Sequence, residues 1–164
     1  MDEAVSRVLA EYEQRIAAEA GTMQALEPAQ MMARRNEFLL PIGADTGRLL
    51  HILVKSAKAR SILEVGTSYG YSTLWLADAA RETDGRVISL ELADYKAAYA
   101  REALAKRDLQ TGWRSTSAAH SRPCPGERDL LILCSLIFGR TCTSSAWTWC
   151  IRSFPAGLSW PRII

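Results

Sequence analysis

The chain has 164 residues, 48% hydrophobic and 23% charged, which describes one globular domain with no room for a second of full size. Its net charge of +2, with no cluster of Lys or Arg, argues against a nucleic-acid-binding tail or a basic membrane-binding patch. The acidic N-terminus does not resemble a signal peptide, and no run nears the roughly 18 apolar residues that a bilayer span needs. We therefore expect a cytoplasmic protein, with neither nucleic acid nor membrane as a partner.

Composition changes sharply after residue 110. Residues 1–110 carry 16 of the 18 acidic residues and all four lysines, which gives them a net charge of −2. Residues 111–164 contain all four cysteines, four of the five tryptophans, six arginines and no lysine. Their cysteine spacing fits neither a zinc site nor the disulfide framework of a secreted protein. We therefore divide the chain into residues 1–110 and an atypical segment, 111–164, in which one strand is predicted over 130–138.

Two helices are predicted near the N-terminus. Apolar residues at helical spacing predict an amphipathic helix over residues 4–20, with a packing role or a dimer-forming one that would give a homodimer through the N-terminal helices. A proline suited to a first helical position begins a second helix over 28–39, in which Met31 and Met32 are predicted to fill the core.

A third helix is predicted over residues 47–55. Asp45 or Thr46 can cap it, and its high apolar content predicts that it is largely buried. His51 lies within it and is a single histidine without evident partners, so we expect a packed or surface side chain.

The hydrophobic period then changes to that of strands alternating with helices. Strands are predicted over 61–66 and 86–92, and helices over 73–80 and 95–106. A strand, a helix, a parallel strand and a second helix make a right-handed unit. The predicted fold class is α/β, a Rossmann-like doubly wound parallel sheet preceded by N-terminal helices.

Polar and glycine residues follow the two predicted strands at the edge where such sheets bind ligands. After the first strand, Gly66 and Gly70 permit a tight turn, and Thr67, Ser68 and Ser72 offer hydroxyls. Glu91 ends the second strand at about the distance where an acidic side chain accepts hydrogen bonds from a ribose. The pattern predicts a nucleoside site whose candidate residues are Glu64, Gly66, Thr67, Ser68, Gly70, Ser72 and Glu91.

The charge of the loop indicates which nucleoside. A dinucleotide site uses G-x-G-x-x-G to bind pyrophosphate, whereas this loop reads G-x-x-x-G and places the Glu64 carboxylate two residues before its first glycine. That carboxylate disfavours pyrophosphate and suits a ligand with a cationic end. S-adenosylmethionine has this form, and an NAD-dependent Rossmann enzyme is the alternative.

Residues of about 25–110, with GADTGRLLHILVKSAKARSILEVGTSYGYSTLWLADAA and VISLEL, resemble the class I O-methyltransferases related to catechol and caffeoyl-coenzyme A O-methyltransferases. The resemblance implies that the glycine loop contacts the methionine part of the cofactor and that Glu91 binds its ribose. It also implies a divalent metal, magnesium, held by an Asp after the fourth strand and an Asp-Asn pair after the fifth.

Those metal ligands are not found in this sequence, so we assign no metal-binding and no catalytic residue. Relative to the family, the fold is expected to be incomplete after the second strand-helix unit. Reading residues from about Arg107 in another frame permits several family segments in order, and Trp147-Thr148 would then have to encode Asp. We therefore hypothesise a frameshift, with a genuine divergent C-terminal segment as the alternative.

The predicted function is transfer of a methyl group from S-adenosylmethionine to a hydroxyl of a small, phenolic acceptor. If the frameshift is real, we expect this chain to be a truncated methyltransferase without activity. The alternative from another class is a non-catalytic nucleoside-binding fragment.

Overall fold

The computed structural model describes residues 2–106 in full and two further strands, 113–116 and 130–134, as backbone. A single 3-10 turn, Arg35–Glu37, follows the second helix. The helices are α1 (Glu3–Gln24), α2 (Pro28–Arg34), α3 (Ala44–Ser56), α4 (Tyr71–Glu82) and α5 (Asp94–Ala105). The strands are β1 (Ser61–Val65), β2 (Arg86–Leu90), β3 (Trp113–Thr116) and β4 (Leu130–Cys134).

The four strands form one parallel sheet in the order β3-β2-β1-β4. Each residue of β1 lies between partners on β2 and β4, so that Glu64 faces Ser89 on one side and Leu133 on the other. Central strands of a parallel sheet are covered on both faces, which is why β1 reads as a short apolar run. The predicted Rossmann-like parallel fold with N-terminal helices is confirmed.

The described residues add two further strands to this sheet beyond the second strand-helix unit. Strand β4 lies within the run 130–138 in which a strand was predicted, and it takes the position beside β1. Strand β3 pairs with β2 and was not predicted, because four residues give too short a pattern to recognise.

Helix α4 is the centre of the described core. Every residue from Tyr71 to Ala80 is buried, so this helix is covered on all sides. It packs against the sheet, against α1 and most closely against α3, where Gly47 lies against the indole of Trp75. The largest fully buried apolar side chains of the core are Val5, Val8, Leu39, Val54, Ile62, Leu74, Leu76, Val87 and Leu104.

Two burial predictions were wrong. Helix α3 buries only Gly47, His51 and Val54, whereas Leu49 and Ile52 are 53% and 58% exposed. Gly47 lies on the packed face where a Cβ would be only 2.4 Å from the Trp75 indole, and His51 faces Asp78 of α4 at 3.0 Å. Helix α2 buries no residue, and Met32 is 59% exposed, because the helix lies at the periphery.

Several helix boundaries also differ from the sequence prediction, and α2 ends at Arg34 where residue 39 was predicted. Helix α1 continues past Gly21, since the flanking residues favour helix strongly enough to absorb about 1 kcal/mol for one glycine. Helix α3 begins earlier than predicted and is capped by Gly43, with φ of 81°, so Asp45 and Thr46 lie inside it. Among the helices of the described segments, none has both the length and the apolar character to cross a bilayer.

Candidate functional site

A glycine-rich loop, residues 66–70, joins β1 to α4 at the carboxyl edge of the sheet. Its backbone takes positive φ at Gly66 (97°), Ser68 (49°) and Gly70 (91°), a conformation that is easy for glycine and unfavourable for serine. The Gly66 and Thr67 amides donate to the Leu90 carbonyl at 2.9 and 3.1 Å, which ties the loop to the end of β2. We call these five residues the cofactor loop, after the role that the sequence predicts for them.

Glu64 lies directly beneath the cofactor loop and is 1% exposed. Its carboxylate accepts hydrogen bonds from the hydroxyls of Ser72 (2.5 Å), Ser89 (2.5 Å) and Thr73 (2.6 Å). Burial raises the pKa of Glu64 above its ordinary value, although these three hydrogen bonds act in the opposite direction. In its ionised form Glu64 gives the site a negative character, because its three hydrogen-bond partners are hydroxyls and none is a basic side chain.

Two of the three hydroxyls predicted to serve the ligand, those of Thr67 and Ser72, are turned inward. Ser89 gives its single hydroxyl proton to Glu64, so in the short contact between Thr67 and Ser89 the Thr67 hydroxyl is the donor. Ser72 is likewise engaged with Glu64. The loop consequently presents mainly backbone at its surface, next to the N-terminus of α4, where no side chain caps the helix.

Glu91 stands at the rim of the same edge and is half-buried. One carboxylate oxygen accepts from the Ser68 amide at 2.7 Å, and the other accepts from the Leu92 and Ala93 amides, both at 2.9 Å. These bonds fix the carboxylate on both sides, while a carboxylate has about four acceptor positions in all. One acceptor position therefore remains for a hydroxyl donor such as that of a ribose.

The structure thus brings all seven candidate residues of the sequence to one place. Glu64, Thr67, Gly70 and Ser72 are buried, whereas Gly66, Ser68 and Glu91 are partly exposed. Sequence reasoning missed Thr73 and Ser89, which complete the Glu64 hydrogen bonds. A signal was present for Ser89, because it is a polar residue in an otherwise apolar buried strand.

Sequence reasoning also missed the residues that support the loop from outside. The Tyr12 hydroxyl donates to the Tyr69 carbonyl, and the Tyr69 hydroxyl donates to the Asn36 carbonyl. Lys96 donates to the Asn36 side chain at 3.0 Å, and burial lowers the pKa of Lys96. These residues are 33 to 60 positions apart from their partners, so no local pattern announces them.

A second polar cluster lies between α3 and α4. Side-chain nitrogen and oxygen atoms of His51, Asp78 and Glu82, which could each bind a metal ion, lie within 4.8 Å of one another there. His51 Nε2 is 3.0 Å from Asp78 Oδ2, and Lys55 Nζ is 2.5 Å from Glu82. The lysine already supplies a cation, so the arrangement is that of an ion-pair network joining two helices. His51 is therefore a packed histidine with a partner.

The divalent metal implied by the resemblance cannot be placed on the described residues. Its expected ligands follow the fourth and fifth strands, and the chain after Cys134 lies outside the described residues. The prediction that the metal ligands are missing concerns residues outside those that the structure describes. The same is true of most of the proposed off-frame segment from about Arg107.

Comparisons with known proteins agree with this architecture. The O-methyltransferase family model matches residues 14–114. Catechol O-methyltransferase of Niastella koreensis is 36% identical over 70 residues, which are 43% of this chain and 31% of that protein. Catechol O-methyltransferase of Mycobacterium tuberculosis is 40% identical over 62 residues, 38% of this chain and 28% of that protein. The matched part of the chain spans about three tenths of the length of these relatives.

Solved structures show the same fold. The O-methyltransferase TomG of Streptomyces achromogenes, involved in tomaymycin synthesis and solved with SAM, has a TM-score of 0.59 and 24% identity over 93% of this chain and 60% of its own. An O-methyltransferase of Bacillus cereus, solved with SAH, has a TM-score of 0.54 and 22% identity over 86% of this chain and 69% of its own. Since the family model matches more than half of the chain and the fold agrees, the chain belongs to the class I S-adenosylmethionine-dependent O-methyltransferase family.

Proposed function

We propose that residues 2–106 carry the S-adenosylmethionine site of an O-methyltransferase. The observation that carries the proposal is the juxtaposition of the cofactor loop with Glu64 below it and Glu91 beside it. Glu91 would accept a hydrogen bond from a ribose hydroxyl at its remaining acceptor position, since its carboxylate is already held in a fixed orientation. The backbone of Gly66, Ser68 and Gly70 would lie against the methionine part.

Glu64 would act on the cofactor through its charge. Its two oxygens are engaged by three hydroxyls, so direct contact with the ligand is not required of it. A negative charge in a buried position attracts the ammonium and sulfonium of the cofactor more strongly than it would in water. The same charge repels pyrophosphate, which argues against the NAD-dependent alternative.

The reaction would be an in-line displacement at the methyl carbon. The acceptor oxygen forms a bond to the methyl carbon while the carbon–sulfur bond breaks, which leaves S-adenosylhomocysteine and releases the acceptor proton. Bound magnesium would lower the pKa of the acceptor hydroxyl. The chain's own contribution from its described residues is to hold the methyl donor in place. No described residue is assigned to proton transfer.

A small phenolic acceptor is part of this proposal. Two relatives are named catechol O-methyltransferases, and they are 36% and 40% identical to this chain over the matched 70 and 62 residues. A homodimer through the N-terminal helices belongs to the same proposal, and the exposed Leu49 and Ile52 of α3 supply apolar surface for it.

The second candidate is a cofactor-binding chain without methyltransferase activity. The family match ends at residue 114, close to where composition changes and where we propose that translation leaves the family frame. The expected catalytic segment would then be absent even though the cofactor site is intact.

Transfer of a radiolabelled methyl group to catechol with magnesium separates the two candidates. We expect no transfer by this chain and transfer by a chain whose gene has the reading frame restored after codon 106. Activity of this chain would overturn the proposed inactivity. Sequencing the gene is the direct check, and an uninterrupted frame through Trp160 would remove the off-frame proposal.

A further inference from the structure

Helix α1 contacts the cofactor loop at the last two residues of the loop, Tyr69 and Gly70. The Tyr12 hydroxyl, on a side chain only 2% exposed, donates to the Tyr69 carbonyl at 2.6 Å. One turn further along α1, the Arg15 guanidinium lies 4.4 Å from the centre of the Tyr69 ring. Two side chains of one helix therefore hold the backbone and the side chain of the same loop residue.

The peptide between Tyr69 and Gly70 is fixed on both of its polar sides. Its carbonyl oxygen accepts from Tyr12, and its amide, on Gly70, donates to the Thr67 carbonyl at 2.9 Å. Because a peptide is planar, these two bonds set the orientation of the whole unit. A Cβ on Gly70 would lie 2.8 Å from Ala100 Cβ, so α5 closes the other side.

The loop needs such support because its conformation is not intrinsically favoured. Ser68 has φ of 49°, a left-handed conformation that costs a non-glycine residue free energy unless its surroundings impose it. The Ser68 amide donates a hydrogen bond to Glu91, and Tyr12 of α1 donates one to the Tyr69 carbonyl. A loop that is held in its bound conformation before ligand arrives loses less entropy on binding.

We propose that α1 positions the cofactor loop, with Tyr12 and Arg15 as positioning residues that touch the loop and not the ligand. This inference rests on the proposed function for its effect on affinity, but its structural part does not. It assigns the N-terminal helix a role in cofactor binding in addition to its place in the core.

The test uses the full chain and the variant Tyr12→Phe, with Tyr71→Phe as a matched control. The Tyr71 hydroxyl also donates a hydrogen bond to α1, to the Glu13 carboxylate at 2.5 Å, but that bond does not involve the loop backbone. Hydrogen–deuterium exchange of the ligand-free proteins should show faster exchange of the 66–70 amides in Tyr12→Phe only. S-adenosylhomocysteine affinity, measured well below the melting temperature, should fall about tenfold in that variant.

Arg15→Gln serves as a second variant should Tyr12→Phe fold poorly, since Arg15 lies nearer the surface. Faster loop exchange and a smaller loss of affinity are expected there. Equal loop exchange in Tyr12→Phe and Tyr71→Phe, or a lower melting temperature with unchanged loop exchange and affinity, would overturn the inference. If the unaltered chain does not bind S-adenosylhomocysteine, the proposed function fails, while the exchange experiment still decides whether α1 supports the loop.

Discussion

At the scale of single residues, Glu64 combines a stability cost with a proposed binding role. Its carboxylate is buried among hydroxyls, and burial raises its pKa above the ordinary value of 4.5. The folded protein therefore holds the Glu64 proton more tightly than the unfolded chain does. Stability from this group is fully present below pH 4.5 and is lost as the pH rises through the folded-state pKa.

Glu64→Gln should remove this dependence. We expect its free energy of unfolding to exceed that of the unaltered chain increasingly as the pH rises from 4.5, because no charge then has to be buried. Its affinity for S-adenosylmethionine should fall, because the charge beneath the loop is gone. Urea unfolding across the pH range and titration calorimetry measure the two effects.

Glu82→Gln is a control of opposite sign. The hydrogen bond from Lys55 lowers the pKa of Glu82, so the stabilisation from Glu82 is present above pH 4.5 and lost as the pH falls through the folded-state pKa. The effect should be small because Glu82 is exposed.

A Glu64→Gln variant that is less stable than the unaltered chain at high pH would contradict the account of Glu64.

At the scale of elements, the contact between α3 and α4 depends on a glycine. A Cβ added to Gly47 would lie 2.4 to 2.6 Å from three atoms of the Trp75 indole, closer than real contacts allow. Gly47→Ala should therefore destabilise the protein by about 1–3 kcal/mol through displacement of the helix pair.

Gly21→Ala is the matched substitution in α1, where an added Cβ meets nothing within 4 Å. It should stabilise the protein by up to about 1 kcal/mol, since alanine favours a helix interior. Thermal melts of both variants check the pair. Equal shifts for the two substitutions would show that helix propensity, and not the Trp75 contact, decides the cost at Gly47.

The elements differ in how far sequence alone could predict them. The run Ser61–Val65 and the acidic Glu91 after the next strand have local patterns, so the first sheet unit and the candidate residues could be placed. The exposure of Leu49 and Ile52 could not be foreseen, because apolar content does not reveal which face of α3 meets α4. The same holds for His51 and Asp78, whose contact depends on how two helices cross.

At the scale of the whole molecule, the two parts of the chain were unequal as guides to function. Residues 1–110 carry the glycine and acidic residues of the proposed cofactor site, and the family match covers most of these 110 residues. Support of the loop by Tyr12 spans 57 residues and follows from the tertiary fold, so only the structure could reveal it. Strand β3 is likewise defined by its pairing with β2 more than by its own four residues.

Titration calorimetry of the full chain with S-adenosylhomocysteine tests the central claim most directly. We expect saturable binding at one site per chain, at least about tenfold weaker binding in Glu91→Ala, where the ribose loses its acceptor, and unchanged binding in Glu102→Gln on the exposed face of α5. Absence of binding heat with S-adenosylhomocysteine, or tighter binding of NAD, would contradict the account.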